Sequence, residues 1–149
     1  MVRIHRGQDL GARVAALISE KKQVAEYSLD LTVAGIRRVT GAGALDFGGS
    51  EYQPGIREDL LPRKGEQEAY GWWELQPGTY LLRFNEALRI PEKCLAVVRP
   101  HPRLLATGAF HPTLVLERWD PGLEVPLHVG PPGLRLKENA RVSQVIVFE

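Results

Sequence analysis

From Tyr70 onward the chain is a succession of short β-prone runs, and this feature restricts its fold most. Tyr80 to Phe84, Leu95 to Val98, Thr113 to Trp119, Val125 to Val129 and Val142 to Phe148 are each rich in β-branched, aromatic or leucine residues. Proline, glycine or charged residues separate them at roughly 8–15-residue intervals, the spacing of a β-sandwich or barrel rather than of β-α-β units. Eleven prolines and fifteen glycines suit such a turn-rich chain. Tyr27 to Val33 alternates apolar and polar residues and adds an earlier strand.

Only one segment carries helical periodicity. Leu10, Val14, Leu17 and Ile18 recur on one face between Asp9 and Gln23, with Asp9 as N-cap and Lys21 and Lys22 at the C-terminal end of the dipole. Between Thr40 and Ala69 the pattern dissolves into Gly48-Gly49-Ser50, Gln53-Pro54-Gly55 and the charged stretch Arg63 to Glu66. One or two short edge strands and a long loop are expected there. The expectation is a mainly β chain with one short N-terminal helix, folded as a single domain over residues 1–149.

Charge excludes some partners. The 19 basic and 18 acidic residues leave a net charge of +1, so no overall field draws the chain to nucleic acid or to an anionic membrane. A local basic cluster can still hold a small anion. Cys94 is the one cysteine, set in the apolar run Cys94 to Val98, and reads as a buried structural thiol in preference to a nucleophile. No apolar run approaches a membrane span and no signal region follows Met1, so a cytoplasmic protein is expected.

Walker, dinucleotide-binding, CxxC, HExxH and GxSxG patterns are all missing. His5, His101, His111 and His128 form no H-x-H pair of the kind that places two metal ligands on one strand face, and they read as exposed loop residues. Asp120-Pro121-Gly122 has two readings: a turn whose aspartate bonds its own backbone, or a carboxylate at a hairpin mouth that activates water. Arg99, His101 and Arg103 alternate with Pro100 and Pro102. In an extended segment they share one face, either as a phosphate-holding strip or as a solvated edge. Trp72 and Trp73 read as core or subunit-interface packing in preference to a base-stacking platform.

Several segments in order resemble the trimeric dUTPase and dCTP deaminase superfamily, closer to its deaminase branch. Leu75-Gln76-Pro77-Gly78 looks like its L-x-P-G, and Glu86 to Glu92 like E-x-V-x-L-P-x-D. Leu104 to Gly108 is similar to L-A-R-L-G. Trp119 to Gly122 resembles I-D-P-G, and Leu134 to Phe148 resembles the closing L-x-P-G-x-R-I-A-Q-L-V-F. Upstream, Tyr27 to Leu31 looks like S-Y-D-L. The resemblance covers about half the chain. It implies a distorted β-barrel or jelly-roll subunit in a homotrimer, with deoxynucleotide sites between subunits and Mg²⁺ carried on the triphosphate. By position, Asp120 would activate water, Gln144 would contact phosphate, and the hairpin Thr113 to Asp120 would read the pyrimidine.

Departures from the pattern bear on activity. The family's G-R-S-S box is Pro100-His101-Pro102-Arg103 here, so both serines are lost and a histidine replaces the arginine. Arg99, His101 and Arg103 are left to supply the phosphate contacts. The deaminase glutamate position, ten residues after Asp120, is Gly130, and Glu124 is too close to replace it. The family's glycine-rich C-terminal lid has no counterpart up to Glu149. The expectation is a dUTPase-like pyrophosphohydrolase that binds dUTP. The alternatives are a catalytically degenerate structural or nucleotide-sensing trimer and, second, a dCTP deaminase.

Overall fold

A computed structural model describes residues 1–149. In chain order the elements are α1 (Gly7–Gly11), β1 (Val14–Ala15), α2 (Glu20–Gln23), β2 (Leu29–Gly41), β3 (Ile56–Leu60), β4 (Trp72–Leu75), β5 (Gly78–Phe84) and β6 (Ala87–Leu88). Then come β7 (Leu95–Pro100), α3 (Pro102–Ala106), β8 (Ala109–Phe110), β9 (Leu114–Leu116), β10 (Glu124–Val129), β11 (Leu134–Lys137) and β12 (Arg141–Phe148). The mainly β expectation holds. One strand path runs β8-β10-β5-β2-β12-β7-β9, with β3 paired to β2, and β4 pairs separately with β11.

The long strand β2 is the hinge of this architecture. Its first half pairs with β12, Asp30 against Gln144 and Leu31 against Ser143. Its second half pairs with β5, Ile36 against Leu82 and Arg38 against Tyr80. The exchange of partners falls at Thr32–Val33, beside a register shift between Val33 and Gly35. Two cores result. One gathers Val33, Ile36, Leu82 and Leu127 with Trp73 and Leu136 of the β4–β11 pair. The other packs Leu29, Leu31, Val98 and Val145 with Leu10 and Cys94, so the thiol is buried as expected.

A corner in a strand frees backbone groups, and here buried side chains take them. Glu86, 2% exposed, accepts from the Thr32 N–H at 2.6 Å, the Thr32 hydroxyl at 2.5 Å and the Gln23 amide at 3.0 Å. Asn85 Nδ2 donates to Thr32 Oγ1 at 2.9 Å and to Asn139 Oδ1 at 2.8 Å. Burial raises the Glu86 carboxyl above the usual range against the pull of these donors.

Two sequence expectations need correction, and one pairing was unforeseen. The single helix over Asp9 to Gln23 is instead α1, the two-residue β1 and α2, and α3 makes a third short helix. Ala16 at φ 65° breaks the helical path, and Val14 and Ala15 pair with β6. Leu10, Val14 and Leu17 still meet one core, but Ile18 is 52% exposed, and Arg6 rather than Asp9 sits at the cap of α1. The run Thr113 to Trp119 forms only three strand residues. They pair with β7, so β9 and β10 make no hairpin. Pairing of β4 with β11 was not expected. It brings Trp73 into the core at 3% exposure and depends on Gly133 at φ 107°, where a Cβ would lie 2.6 Å from the Leu75 carbonyl.

Candidate functional site

Register builds a polar row across three strands. Gln144 on β12 is the cross-strand partner of both Asp30 on β2 and Arg99 on β7. Its Nε2 donates to Asp30 Oδ1 at 3.1 Å, and its Oε1 accepts from Arg99 Nε at 3.3 Å and Nη2 at 3.1 Å. Arg141, three residues earlier, reaches the same carboxylate because a register shift between Arg141 and Ser143 turns it to that side. Its Nη1 donates to Asp30 Oδ2 at 3.1 Å and to the Lys22 carbonyl at 3.0 Å. Asp30 is 6% exposed, Arg99 is exposed, and a buried carboxylate thus aims a surface guanidinium through one amide.

The Pro100–Arg103 box is not an extended strip. β7 ends at Pro100, His101 is the N-cap, and Pro102 starts α3 where a proline costs no hydrogen bond. His101 Nδ1 accepts the Arg103 backbone N–H at 3.0 Å, so the ring proton sits on Nε2, 3.3 Å from Asp30 Oδ2. The histidine is therefore 8% exposed and faces inward, while Arg99 and Arg103 remain at the surface. Nor is His111 an exposed loop residue. It is 2% exposed, with Nδ1 2.8 Å from the Pro112 carbonyl and Nε2 2.7 Å from the Ser143 hydroxyl, and burial lowers its basicity. Of the four histidines only His128 is fully on the surface.

Asp120 lies elsewhere on the chain. β7 and β9 pair antiparallel, Ala96 with Leu116 and Val98 with Leu114, so the chain beyond Leu116 leaves at the Leu95 end of β7. Arg99 and His101 stand at the other end, roughly 10–16 Å along at about 3.3 Å per residue. Asp120 is exposed, and its carbonyl accepts the Leu123 N–H to close a turn. The turn closes through the main chain rather than through the side-chain bond expected of an aspartate before Pro-Gly, and the carboxylate is left exposed. Glu124 is occupied, 2.5 Å from Arg57 Nη1 and 3.6 Å from Arg37 Nη1, and Gly130 follows β10 without a side chain.

Asp30 and Arg141 are the members of this cluster that sequence reasoning did not single out. Both lie in segments that carry the family resemblance, but a lone aspartate in an apolar strand has no local signature. Only the β2–β12–β7 register discloses it. The cluster's donors also bear on a metal. Both Asp30 oxygens are taken by side-chain donors, so this carboxylate does not stand free to lodge a divalent ion.

No family model matches the chain. A protein of Methanosarcina mazei named as a probable deoxyuridine 5'-triphosphate nucleotidohydrolase is 34% identical over 136 residues, covering 88% of this chain and 75% of that protein. One of the same name from Aeropyrum pernix is 35% identical over 126 residues, covering 80% and 71%. Among solved structures, the 2'-deoxycytidine 5'-triphosphate deaminase of Agrobacterium tumefaciens superposes with a TM-score of 0.67 at 16% identity. It covers 99% of this chain, which spans 46% of the deaminase, and the likeness is one of fold.

Proposed function

The chain belongs to the dUTPase and dCTP deaminase superfamily, and from that premise we propose that it binds a deoxyribonucleoside triphosphate and hydrolyses dUTP to dUMP and pyrophosphate. The observation that carries the reading is the row Asp30–Gln144–Arg99, which holds a surface guanidinium ready for phosphate. Arg103, the second residue of α3, adds a second exposed cation four residues further along the chain. In this reading Arg99, Arg103 and Gln144 contact the phosphates. His101 acts on them through the Asp30 carboxylate it faces. Asp120 takes a proton from a water whose oxygen attacks the α-phosphorus, and the bond to the bridging oxygen breaks to release pyrophosphate. Mg²⁺ bound to the phosphates would neutralise charge on the leaving group.

Asp120 and the Arg99 cluster stand at opposite ends of β7, so the proposal needs more than one copy: Asp120 from one subunit serves the cluster of a neighbour in a homotrimer. Residues 1–149 are taken as one domain, because β2 and β12 contribute to both cores. No helix is long and apolar enough to cross a membrane, and a cytoplasmic place is proposed with the activity.

A catalytically degenerate nucleotide-binding trimer is the second reading, favoured by the inward-facing His101 where the family has a phosphate-facing arginine. Deamination is third, because Gly130 offers no carboxylate. Pyrophosphate and ammonia release from a panel of deoxynucleoside triphosphates with Mg²⁺ separates all three. Pyrophosphate from dUTP without ammonia, abolished in a folded Asp120→Asn variant, is the expected result. An Asp120→Asn enzyme at wild-type rate removes Asp120 from the mechanism.

A further inference from the structure

The chain between β2 and β3 stands away from both cores. The two strands stop pairing at Gly41 and Ile56, and residues 42–55 make no hydrogen bond or ion pair outside their own arm. Inside the arm the chain is well tied. Ala44 and Gln53 exchange backbone bonds at 2.8 and 2.9 Å, and the Asp46 carboxylate accepts the Gly49 and Glu51 N–H groups at 3.0 and 2.9 Å. Gly43 lets the two limbs close, since a Cβ there would lie 2.6 Å from the Gln53 carbonyl oxygen. This ordered arm holds apolar side chains in water: Phe47 is 109% exposed, Leu45 88%, Ile56 66% and Tyr52 54%. A two-limbed arm without a core is marginal by itself, and bare apolar side chains fixed side by side mark a surface that something covers.

A groove of about 720 Å³ suits these side chains, and it lies out of the arm's own reach. Leu88, Ile90, Pro91, Leu95 and Trp119 form its apolar walls, with Leu95 42% exposed. It opens near Phe84, which pairs with Val33 of β2. The arm leaves the other end of β2 at Gly41, roughly 26 Å away at about 3.3 Å per residue, and points outward. Charge matches as well. The groove carries Arg89, Lys93 and Arg118, none of them in an ion pair, against Glu92 and Glu117. Residues 42–55 carry Asp46 and Glu51 and no basic residue. The four arm side chains present on the order of 600 Å², close to the roughly 800 Å² that each partner gives to a standard interface.

We infer that the arm of one copy of this chain docks on a second copy, seating Phe47 and Leu45 in the groove with Glu51 against its unanswered cations. Arm and groove are different surfaces, so the contact is head-to-tail, and each copy gives one arm and receives another. Such contacts close into a ring when the rotation between copies permits. The inference goes beyond the number of copies proposed above by naming the residues that join them. Trp119 of the groove precedes Asp120, so a seated arm also steadies the turn that presents this carboxylate. That last consequence rests on the proposed function, and the docking does not.

Cross-linking and mass in solution test the docking on the whole chain. In a Cys94→Ser background, Phe47→Cys is combined with Arg118→Cys on the groove or, as a control, with Glu74→Cys on β4, whose neighbours Trp73 and Leu75 belong to the other core. Mild oxidation should link the first pair between chains and leave the second unlinked. Light scattering needs no cysteine. By that measure Leu45→Asp/Phe47→Asp, two exposed positions outside both cores, should dissociate at about tenfold higher concentration than wild type or more. Equal linking of both pairs, no link in a folded Phe47/Arg118 protein, or an aspartate variant that assembles like wild type overturns the inference. Neither readout involves turnover, so a protein that docks in this way without hydrolysing dUTP sinks the hydrolase reading alone.

Discussion

Replacing Asp30 by asparagine keeps the side-chain shape and removes the charge on which the cluster converges. The carboxylate accepts from Gln144 and Arg141 and faces the Nε2 proton of His101. An asparagine has one oxygen. Turned toward Arg141 and His101, it meets the Gln144 amide donor with a donor of its own, and Gln144 must rotate. Its oxygen then leaves Arg99. A hydrogen bond to a charged group contributes about 1.5–3 kcal/mol against roughly 0.5–1.5 for a neutral one. Arg141 and Gln144 keep some access to water, which softens the loss, so the cost is about 2–3 kcal/mol. For a chain of this size that lowers Tm by roughly 4–12 °C. Equilibrium urea unfolding measures it. In a Gln144→Ala background the cost should fall by about 1 kcal/mol, since the amide clash is gone. An Asp30→Asn protein within about 0.5 kcal/mol of wild type would refute the claim that this carboxylate organises the cluster.

Two further predictions concern pH, and a third concerns the cluster's chemistry. Glu86 has a raised folded-state pKa, so the stability it gives is full below its unfolded value near 4.5 and is lost as pH rises through the folded value. The stability of wild type relative to Glu86→Gln, from urea unfolding between pH 4 and 7, should therefore fall with rising pH, and a flat difference would contradict this. For His111 the folded value is lowered from 6.5, so its contribution is present above that pH and is lost as the solution becomes more acid. Wild type should lose its advantage over His111→Gln below pH 6.5, while an advantage that grows on acidification would show the histidine buried as a cation. Because Gln144 carries Arg99, Gln144→Ala should raise KM for dUTP about tenfold or more while the protein keeps its native fluorescence and a cooperative, somewhat lower melt; an unchanged KM would place phosphate binding elsewhere.

Strand periodicity was legible because it is local. Val125 to Val129 and Val142 to Phe148 become β10 and β12 almost as read, since alternate side chains there do enter a core. The helical face of Leu10, Val14 and Leu17 was equally local and misled: the same three side chains reach one core from a broken path that β6 and Ala16 impose. Arg99 was found through its alternation with the prolines and Gln144 through the family resemblance, and the structure joins them. Their bond depends on β12 lying between β2 and β7, a pairing over 45 residues of separation that no window of sequence contains. His101 was read as facing outward because the Pro100–Pro102 pattern suggests an extended strip. The helix that Pro102 begins turns it toward Asp30 instead.

Subunit mixing tests the shared site most directly. Asp120→Asn and Arg99→Glu proteins are unfolded, combined in equal amounts and refolded together, and pyrophosphate release from dUTP is measured. Each protein alone should be inactive. In mixed trimers a site is intact when the Arg99 cluster comes from an Asp120→Asn subunit and Asp120 from an Arg99→Glu subunit, so about a quarter of wild-type activity should return. A refolded mixture as inactive as its parents, with mixed assemblies demonstrated, would contradict a site built from Asp120 of one copy and Arg99 of another.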